Sequence, residues 1–282
     1  MVEATKPEDK QTSDVTHQYL RTKKNFPNVW CPGCGIGTVM GSIIRSIDKL
    51  GYKKNEVVLV SGIGCSSRLP VYCDFNTLHT THGRSIAFAS GVKVAKPNLK
   101  VIVVTGDGDC LAIGGNHFIH ACRRNIDLTV ILINNQIYGM TGGQCSPATP
   151  NLAYATTAPY GNLEHNFIPV DLAKGAGASY IARSTVYHVQ QMDKMIVGAL
   201  QKKGFSLVEA ISNCHTYYGR LNKEGDAVAM LKWMKEHAMS AKVAKNLPPE
   251  KLEGKFLTGL LWDVEKPEFC EEYEKLIQRL QK

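Results

Sequence analysis

Ile36, Val39, Met40, Ile43, Ile44, Ile47 and Leu50 recur at the three- and four-residue spacing of one helix face, and Gly51 follows as a stop. The spacing predicts a helix over 36–50. Further on the period changes. Residues 57–61, 101–105 and 128–133 are short β-branched and apolar runs, each closed by Gly, Asp or Asn, the pattern of strands buried on both faces. Helix-like segments over 84–96 and 112–124 separate them, and a long helical stretch over 186–203 precedes a further strand over 206–211. Alternating strands and helices predict right-handed crossovers, hence an α/β fold: an open, mainly parallel sheet with helices on both faces.

Outside this alternation the pattern weakens. Residues 1–27 are polar and of mixed charge, and the chain after Lys242 ends in a charged helical stretch over 267–282. The expected organisation is one domain over 28–242, with extensions over 1–27 and 243–282, the latter packed on the same domain or on a partner. Residues 138–169 are rich in Gly, Thr, Pro and Asn and carry no period, which predicts a long loop of the kind usually kept for function.

Composition adds bounds. With 282 residues, 44% hydrophobic and 21% charged, the chain can bury a sizeable core. No apolar run reaches the roughly 18 residues of a membrane span, so the expected location is cytoplasmic, with no membrane partner. Nine cysteines, an odd number without an export signal, argue against a disulfide scaffold and leave thiols as metal ligands or buried apolar groups. The net charge of +8 suits an acidic partner protein by steering. The basic residues are scattered and form no nucleic-acid motif, so nucleic acid is not an expected partner and a solvated surface is the plainer reading.

In an open α/β sheet, ligands bind beyond the carboxyl ends of the strands. The unusual residues of this sequence sit there. The first strand runs into Gly62-Ile63-Gly64-Cys65-Ser66-Ser67-Arg68, the second into Gly106-Asp107-Gly108-Asp109, the third into Asn134-Asn135, and the fourth into Asn213-Cys214-His215. Gly-Asp-Gly alone is a common turn. With Asn135 at the end of the next strand it resembles the diphosphate-binding signature of thiamine-diphosphate enzymes. The resemblance implies that Asp107, Asn135 and the backbone oxygen of Ile137 hold a magnesium ion, whose remaining oxygen ligands a diphosphate can supply. Gly106 and Gly108 permit close approach of backbone to phosphate, and the following helix N-terminus adds donors.

Cys31-Pro32-Gly33-Cys34 places two thiols just before the first helix, and by itself suits half a zinc site, a redox dithiol or part of an iron–sulfur cluster. Cys65 and Cys214, at two strand ends, offer a third and a fourth ligand. Cys-Pro-Gly-Cys-Gly, Gly-Ile-Gly-Cys-Ser, His82-Gly83-Arg84, Gly-Asp-Gly-Asp and Tyr138-Gly139-Met140-Thr141-Gly142-Gly143-Gln144 occur in this order. Together they resemble the β subunit of 2-oxoacid:ferredoxin oxidoreductases over roughly residues 26–215. The resemblance implies the thiamine-diphosphate-binding fold, with thiamine diphosphate, Mg2+ and one [4Fe-4S] cluster on Cys31, Cys34, Cys65 and Cys214. Cys73, Cys110, Cys122, Cys145 and Cys270 match no ligand position and are expected to be core or incidental thiols.

The implied reaction is CoA-dependent oxidative decarboxylation of a 2-oxo acid, with electrons passing through the cluster to ferredoxin. No second domain is evident to complete the cofactor site, which implies an α subunit, in an α2β2-like assembly or one with additional small subunits, and inactivity of this chain alone. Ile63, Gly64, Cys65, Ser66, His82, Gly106, Asp107, Gly108, Asp109, Asn135, Ile137, Gly139 and Thr141 are the expected cofactor contacts, and residues 138–144 the active-site loop. His82, Arg68 and Thr141 are the expected catalytic residues, Arg68 as a fork for a substrate carboxylate, although a structural His82 and an ion-paired surface Arg68 are the competing readings. The motif wording looks most like the 2-oxoglutarate branch. Pyruvate or branched-chain 2-oxo acids, a non-redox thiamine enzyme, and a scaffold subunit with structural zinc are the alternatives.

Overall fold

The computed structural model describes residues 12–23 and 27–281, so most of the N-terminal extension expected over 1–27 lies outside the described residues. The first half of the chain forms α1 (Thr12–Gln18), α2 (Ile36–Lys49), β1 (Val57–Ser61), α3 (Leu69–Tyr72), β2 (Asn76–His79), α4 (Ser85–Ala95), β3 (Lys100–Gly106), α5 (Gly115–Arg124) and β4 (Thr129–Asn134). The second half forms α6 (Pro169–Ala176), β5 (Tyr180–Thr185), α7 (Val189–Gln201), β6 (Ser206–Ile211), α8 (Ala227–His237), β7 (Ala238–Ser240), α9 (Ala241–Ala244), β8 (Phe256–Asp263) and α10 (Phe269–Leu280).

Eight strands make one sheet in the order β2-β1-β3-β4-β6-β5-β8-β7. The strands from β2 to β5 are mutually parallel, and β8 joins β5 antiparallel. Period-2 alternation in the strands divides the core in two. Val57, Leu59, Ile102, Val104, Ile131 and Ile133 face α2 and α7, where Ile36, Val39, Ile43, Ile47, Met192 and Ile196 complete one cluster. Val58, Val60, Val101, Val103, Val130 and Leu132 face α4, α5 and α6, against Ile86, Ala89, Phe118, Ala121 and Val170. Each central strand is buried on both sides, as its uninterrupted apolar run requires. The expected open sheet with helices on both faces is the fold observed.

Four strands were hidden in the sequence, the shortest of them the three-residue β7. β2 is a polar, half-exposed strand beside β1. β5 contains Arg183, which is accommodated because its guanidinium binds the buried Glu209 carboxylate of β6 at 2.7 Å. β8 carries Gly259 at φ 98°, near a register shift opposite Ile181 and Ala182, which interrupts its period. The segment after Lys242, expected as an extension, therefore contributes a strand to the main sheet. The expected helix over 186–203 is α7, shortened because Thr185 Oγ1 accepts the N–H groups of Tyr187 and His188 and holds a turn ahead of it. The expected helix over 112–124 is α5, entered through one π-helical turn, Asp109–Ile113. Residues 138–168 hold neither helix nor strand and are tied by isolated bridges, Tyr138 to Gln144 and Ala155 to Ala158.

Candidate functional site

β1, β3 and β4 are adjacent, and β1 lies at the point where successive connections leave in opposite directions, to β2 on one side and β3 on the other. Crevices form at such switch points because neighbouring loops diverge. A cleft enclosing about 640 Å3 opens there, lined by Ile63, Gly64, Cys65 and Ser66 after β1, His82 after β2, Gly106 to Asp109 after β3, and Asn135 and Ile137 to Thr141 after β4. Every residue expected to contact cofactor lines this one cleft. Arg68 does not: it is exposed in the turn after Cys65 and lies outside the lining. The turn of Ser66–Arg68 buries Ser66 and Ser67 and leaves the third residue exposed.

Asp107 is the buried acid of the cleft. Ser146 Oγ donates to its Oδ2 at 2.6 Å, and among the described residues no cationic side chain pairs with it. Burial is the main cause that pushes its carboxyl up to about 7, opposed by the hydrogen bond from Ser146 and by backbone donors, with Glu209 adding repulsion. A buried carboxylate supported only by neutral donors has the chemistry of a site for a hard cation. Beyond β4 the chain turns through Gln136 at φ 63°, a left-handed conformation costly for a non-glycine residue. Asn134 Oδ1 accepts the Gln136 N–H at 3.1 Å and stabilises the turn that brings Asn135 and Ile137 to the lining. Gly108 is required by packing, since a Cβ there would lie 2.2 Å from the Tyr138 ring, whose hydroxyl donates to the Gly108 carbonyl at 3.0 Å.

The loop after β4 closes tightly on itself. Tyr138 N–H donates to the Gln144 carbonyl, Gly143 N–H donates to the Tyr138 carbonyl, and Thr141 Oγ1 donates to Gln144 Oε1. Gly142 and Gly143 take φ of 120° and 90°, so the turn needs glycine at both. Thr141 is exposed at the rim.

Cys34, Cys65 and Cys214 are half-buried and Cys31 is exposed, all as free thiols. Burial pushes the Cys34 and Cys65 thiols up to about 11, and charge on the neighbouring cysteines adds to it; Cys214 is raised for the same reasons. The four are therefore near enough to repel one another as thiolates. A Cβ on Gly139 would lie 3.4 Å from Cys214 Sγ and 3.7 Å from Cys65 Sγ, and 4.0 Å from Asn135 Nδ2. Gly139, which lines the cleft, thus lies beside both thiols. Among the described residues no three His, Cys, Asp or Glu side chains converge as closely as a single ion requires. Tetrahedral zinc would bring sulfurs to about 3.8 Å from one another. A cube of four irons, with one thiolate on each, fits a wider set.

Two side chains given no role by the sequence, Asn213 and Trp30, hold the Cys31–Gly35 turn in place. Asn213 Oδ1 accepts the Gly35 N–H at 3.0 Å, and its Nδ2 donates to the Gly33 carbonyl at 3.0 Å. Trp30 Nε1 donates to the Cys65 carbonyl at 2.8 Å. These bonds tie the two-cysteine turn to the loops that carry Cys214 and Cys65. Cys73, Cys110, Cys122 and Cys270 are buried away from this group, and Cys145 is half-buried next to Ser146.

The family model of the thiamine pyrophosphate enzyme C-terminal TPP binding domain matches residues 62–210. The chain is 52% identical over 263 residues to the 2-oxoglutarate synthase subunit KorB of Methanocaldococcus jannaschii, covering 93% of this chain and 97% of that one. It is 38% identical over 240 residues to the 2-oxoacid:ferredoxin oxidoreductase subunit beta of Saccharolobus solfataricus, covering 84% and 78%. Among solved structures, a 2-oxoglutarate:ferredoxin oxidoreductase from Magnetococcus marinus, with 2-oxoglutarate, coenzyme A and succinyl-CoA bound, matches with a TM-score of 0.84 and 32% identity, covering 94% of this chain and 90% of that one. Among the described residues no helix is long and apolar enough to cross a membrane.

Proposed function

Because the chain belongs to the β-subunit family of the 2-oxoacid:ferredoxin oxidoreductases, we propose that, with an α subunit, it converts 2-oxoglutarate and CoA to succinyl-CoA, carbon dioxide and a proton, two electrons leaving for ferredoxin. The observation that carries this is Gly139, whose missing side chain brings the thiols of Cys65 and Cys214 to the wall of the cleft that Asp107 and Asn135 line. Thiamine diphosphate, when bound, supplies the nucleophile and electron sink for decarboxylation, and an iron–sulfur cluster supplies the one-electron acceptor.

This chain's residues bind and orient. Asp107, Asn135 and the Ile137 carbonyl hold Mg2+, whose charge satisfies the buried carboxylate. Gly106 lets Ser66 pack closely against the strand end at the cleft, since a Cβ there would lie 2.9 Å from Ser66 Oγ. Ile63, Gly64, Cys65, Ser66 and His82 line the opposite side, and the 138–144 loop with Gly139 and Thr141 covers the reacting end and excludes water. Cys31, Cys34, Cys65 and Cys214, which are close enough for charge on one to raise the thiols of the others, would hold the cluster. The α subunit completes the site and contributes to the substrate contacts.

The test is anaerobic co-purification with the α subunit, a visible spectrum, and turnover of a panel of 2-oxo acids with CoA and a low-potential dye. The expected result is a brown complex that prefers 2-oxoglutarate to pyruvate and branched-chain 2-oxo acids. A colourless complex that binds zinc overturns the redox reading, and equal turnover of pyruvate overturns the substrate assignment.

A further inference from the structure

Asp109 lies two residues beyond the magnesium-site acid and has different surroundings. Its carboxylate is 3% exposed and takes four donors. Oδ1 accepts the Ile63 N–H at 3.2 Å, the Gly83 N–H at 2.7 Å and a bond with His82 Nδ1 at 2.5 Å, while Oδ2 accepts from Thr105 Oγ1 at 2.9 Å. The site was made for this side chain, because a Cβ on Gly62 would fall 2.1 Å from Asp109 Oδ2. One buried carboxylate therefore joins the ends of β1 and β3 and the loop after β2, all of which line the cleft.

The partners of Oδ1 decide the state of the histidine. Backbone N–H groups can only donate, so Oδ1 is an acceptor already facing two protons, and His82 Nδ1 must bring a third. The His82 ring, 37% exposed along its side chain, lines the cleft and meets the Tyr138 ring edge-on at 6.2 Å between centroids. We propose that Asp109 is a positioning residue acting through His82: it fixes the proton on Nδ1 and so offers Nε2 to the cleft as a hydrogen-bond and proton acceptor. This rests on the reading of the cleft as the catalytic one. The net reaction releases one proton when the CoA thiol becomes a thioester, and a neutral imidazole with a bare Nε2 is a group able to receive it. A carboxylate behind an imidazole sets tautomer and orientation in just this way in hydrolase triads.

A rival account is that Asp109 only staples three loops. A double-mutant cycle in the αβ complex, loaded with Mg2+ and thiamine diphosphate, separates the two. Asp109→Ala should lower kcat about 10- to 100-fold, the usual effect of losing an orienting partner, with the KM for the 2-oxo acid changed less than about threefold. Asp109→Asn, whose amide oxygen can still accept from Nδ1, should recover most of that loss. In a His82→Gln background neither substitution should lower kcat further. An undiminished effect of Asp109→Ala or Asp109→Asn in the His82→Gln complex overturns the proposal in favour of the staple.

The tautomer can be read independently of turnover. In the 15N-histidine-labelled chain with Mg2+ and thiamine diphosphate, long-range 15N–1H correlation of His82, assigned by its loss in His82→Gln, should show a protonated Nδ1 and an unprotonated Nε2 at alkaline pH. A protonated Nε2 with bare Nδ1 overturns the proposal. That result stands even if the complex fails to oxidise any 2-oxo acid, so it is distinct from failure of the proposed function. Should Asp109→Ala not accumulate as folded protein, Asp109→Asn and the wild-type tautomer carry the test.

Discussion

Asp107 is held in the cleft by a serine hydroxyl and backbone donors, and burial lifts its carboxyl to about 7. A group whose folded pKa exceeds its unfolded value contributes least once pH rises above the folded value, so without a cation the ionised Asp107 opposes folding at pH 8. Asp107→Asn should therefore leave the cofactor-free chain at least as thermostable at pH 8, and should abolish stabilisation by magnesium plus thiamine diphosphate, which at hundredfold excess over Kd is about 3 kcal/mol in the wild type. Differential scanning calorimetry reads both. Asp107, Asn135, Cys65 and Cys214 stood out because each follows or ends a strand, and Cys31 and Cys34 because they form a two-thiol turn before α2. Ser146 did not, since it reaches Asp107 from 39 positions away within a loop without a period. For Arg68, spacing shows that it follows Cys65 but not that it stands exposed outside the lining of the cleft.

Between the residues and the sheet lie the short connections that set the thiols. Asn213 spans 178 positions to reach Gly35, a contact no local pattern encodes. Asn213→Ala removes two hydrogen bonds from a turn anchored otherwise by Trp30, a loss of about 1–3 kcal/mol. The expected outcome is a folded chain with a depleted cluster, measured as iron and sulfide per chain after anaerobic reconstitution. Gly139→Ala makes a sharper case. Its methyl would be in ordinary contact with both sulfurs, so the empty chain keeps its stability, but the methyl enters the space a cluster would fill. Visible absorbance of the reconstituted protein should fall while the melting temperature of the cluster-free chain stays within about 2 °C, a change of roughly 1 kcal/mol. The elements read correctly, α2, β1, β3, β4 and β6, are those whose burial is uniform or one-sided. Those missed, β2, β5, β7 and β8, are polar, ion-paired, only three residues long or broken by a glycine.

The sheet as a whole depends on its C-terminal strand. β8 covers the open side of β5, with Trp262 opposite Ile181, and Lys202 at the end of α7 reaches Asp263 at 2.7 Å. Ending the chain at Lys255 would expose the backbone donors and acceptors of β5 as a bare edge, a template for pairing between molecules. Such a truncation should be recovered as soluble aggregate, seen by size-exclusion chromatography with light scattering, whereas ending it at Leu280 should leave the elution volume unchanged. Both apolar layers were visible in the alternation of the central strands, since a residue's side of the sheet follows from its parity. The order of the strands was not, because it is fixed by contacts between distant segments.

Gly139 faces the sulfurs of Cys65 and Cys214 and the amide of Asn135 together, so in the proposed assignment the two prosthetic groups would be neighbours at one residue. Whatever displaces that residue would disturb both sites together. Filling the vitamin side should brace it and slow bleaching of the iron side in air, so the decay of colour after exposure to oxygen should be slower with magnesium and thiamine diphosphate than with magnesium alone.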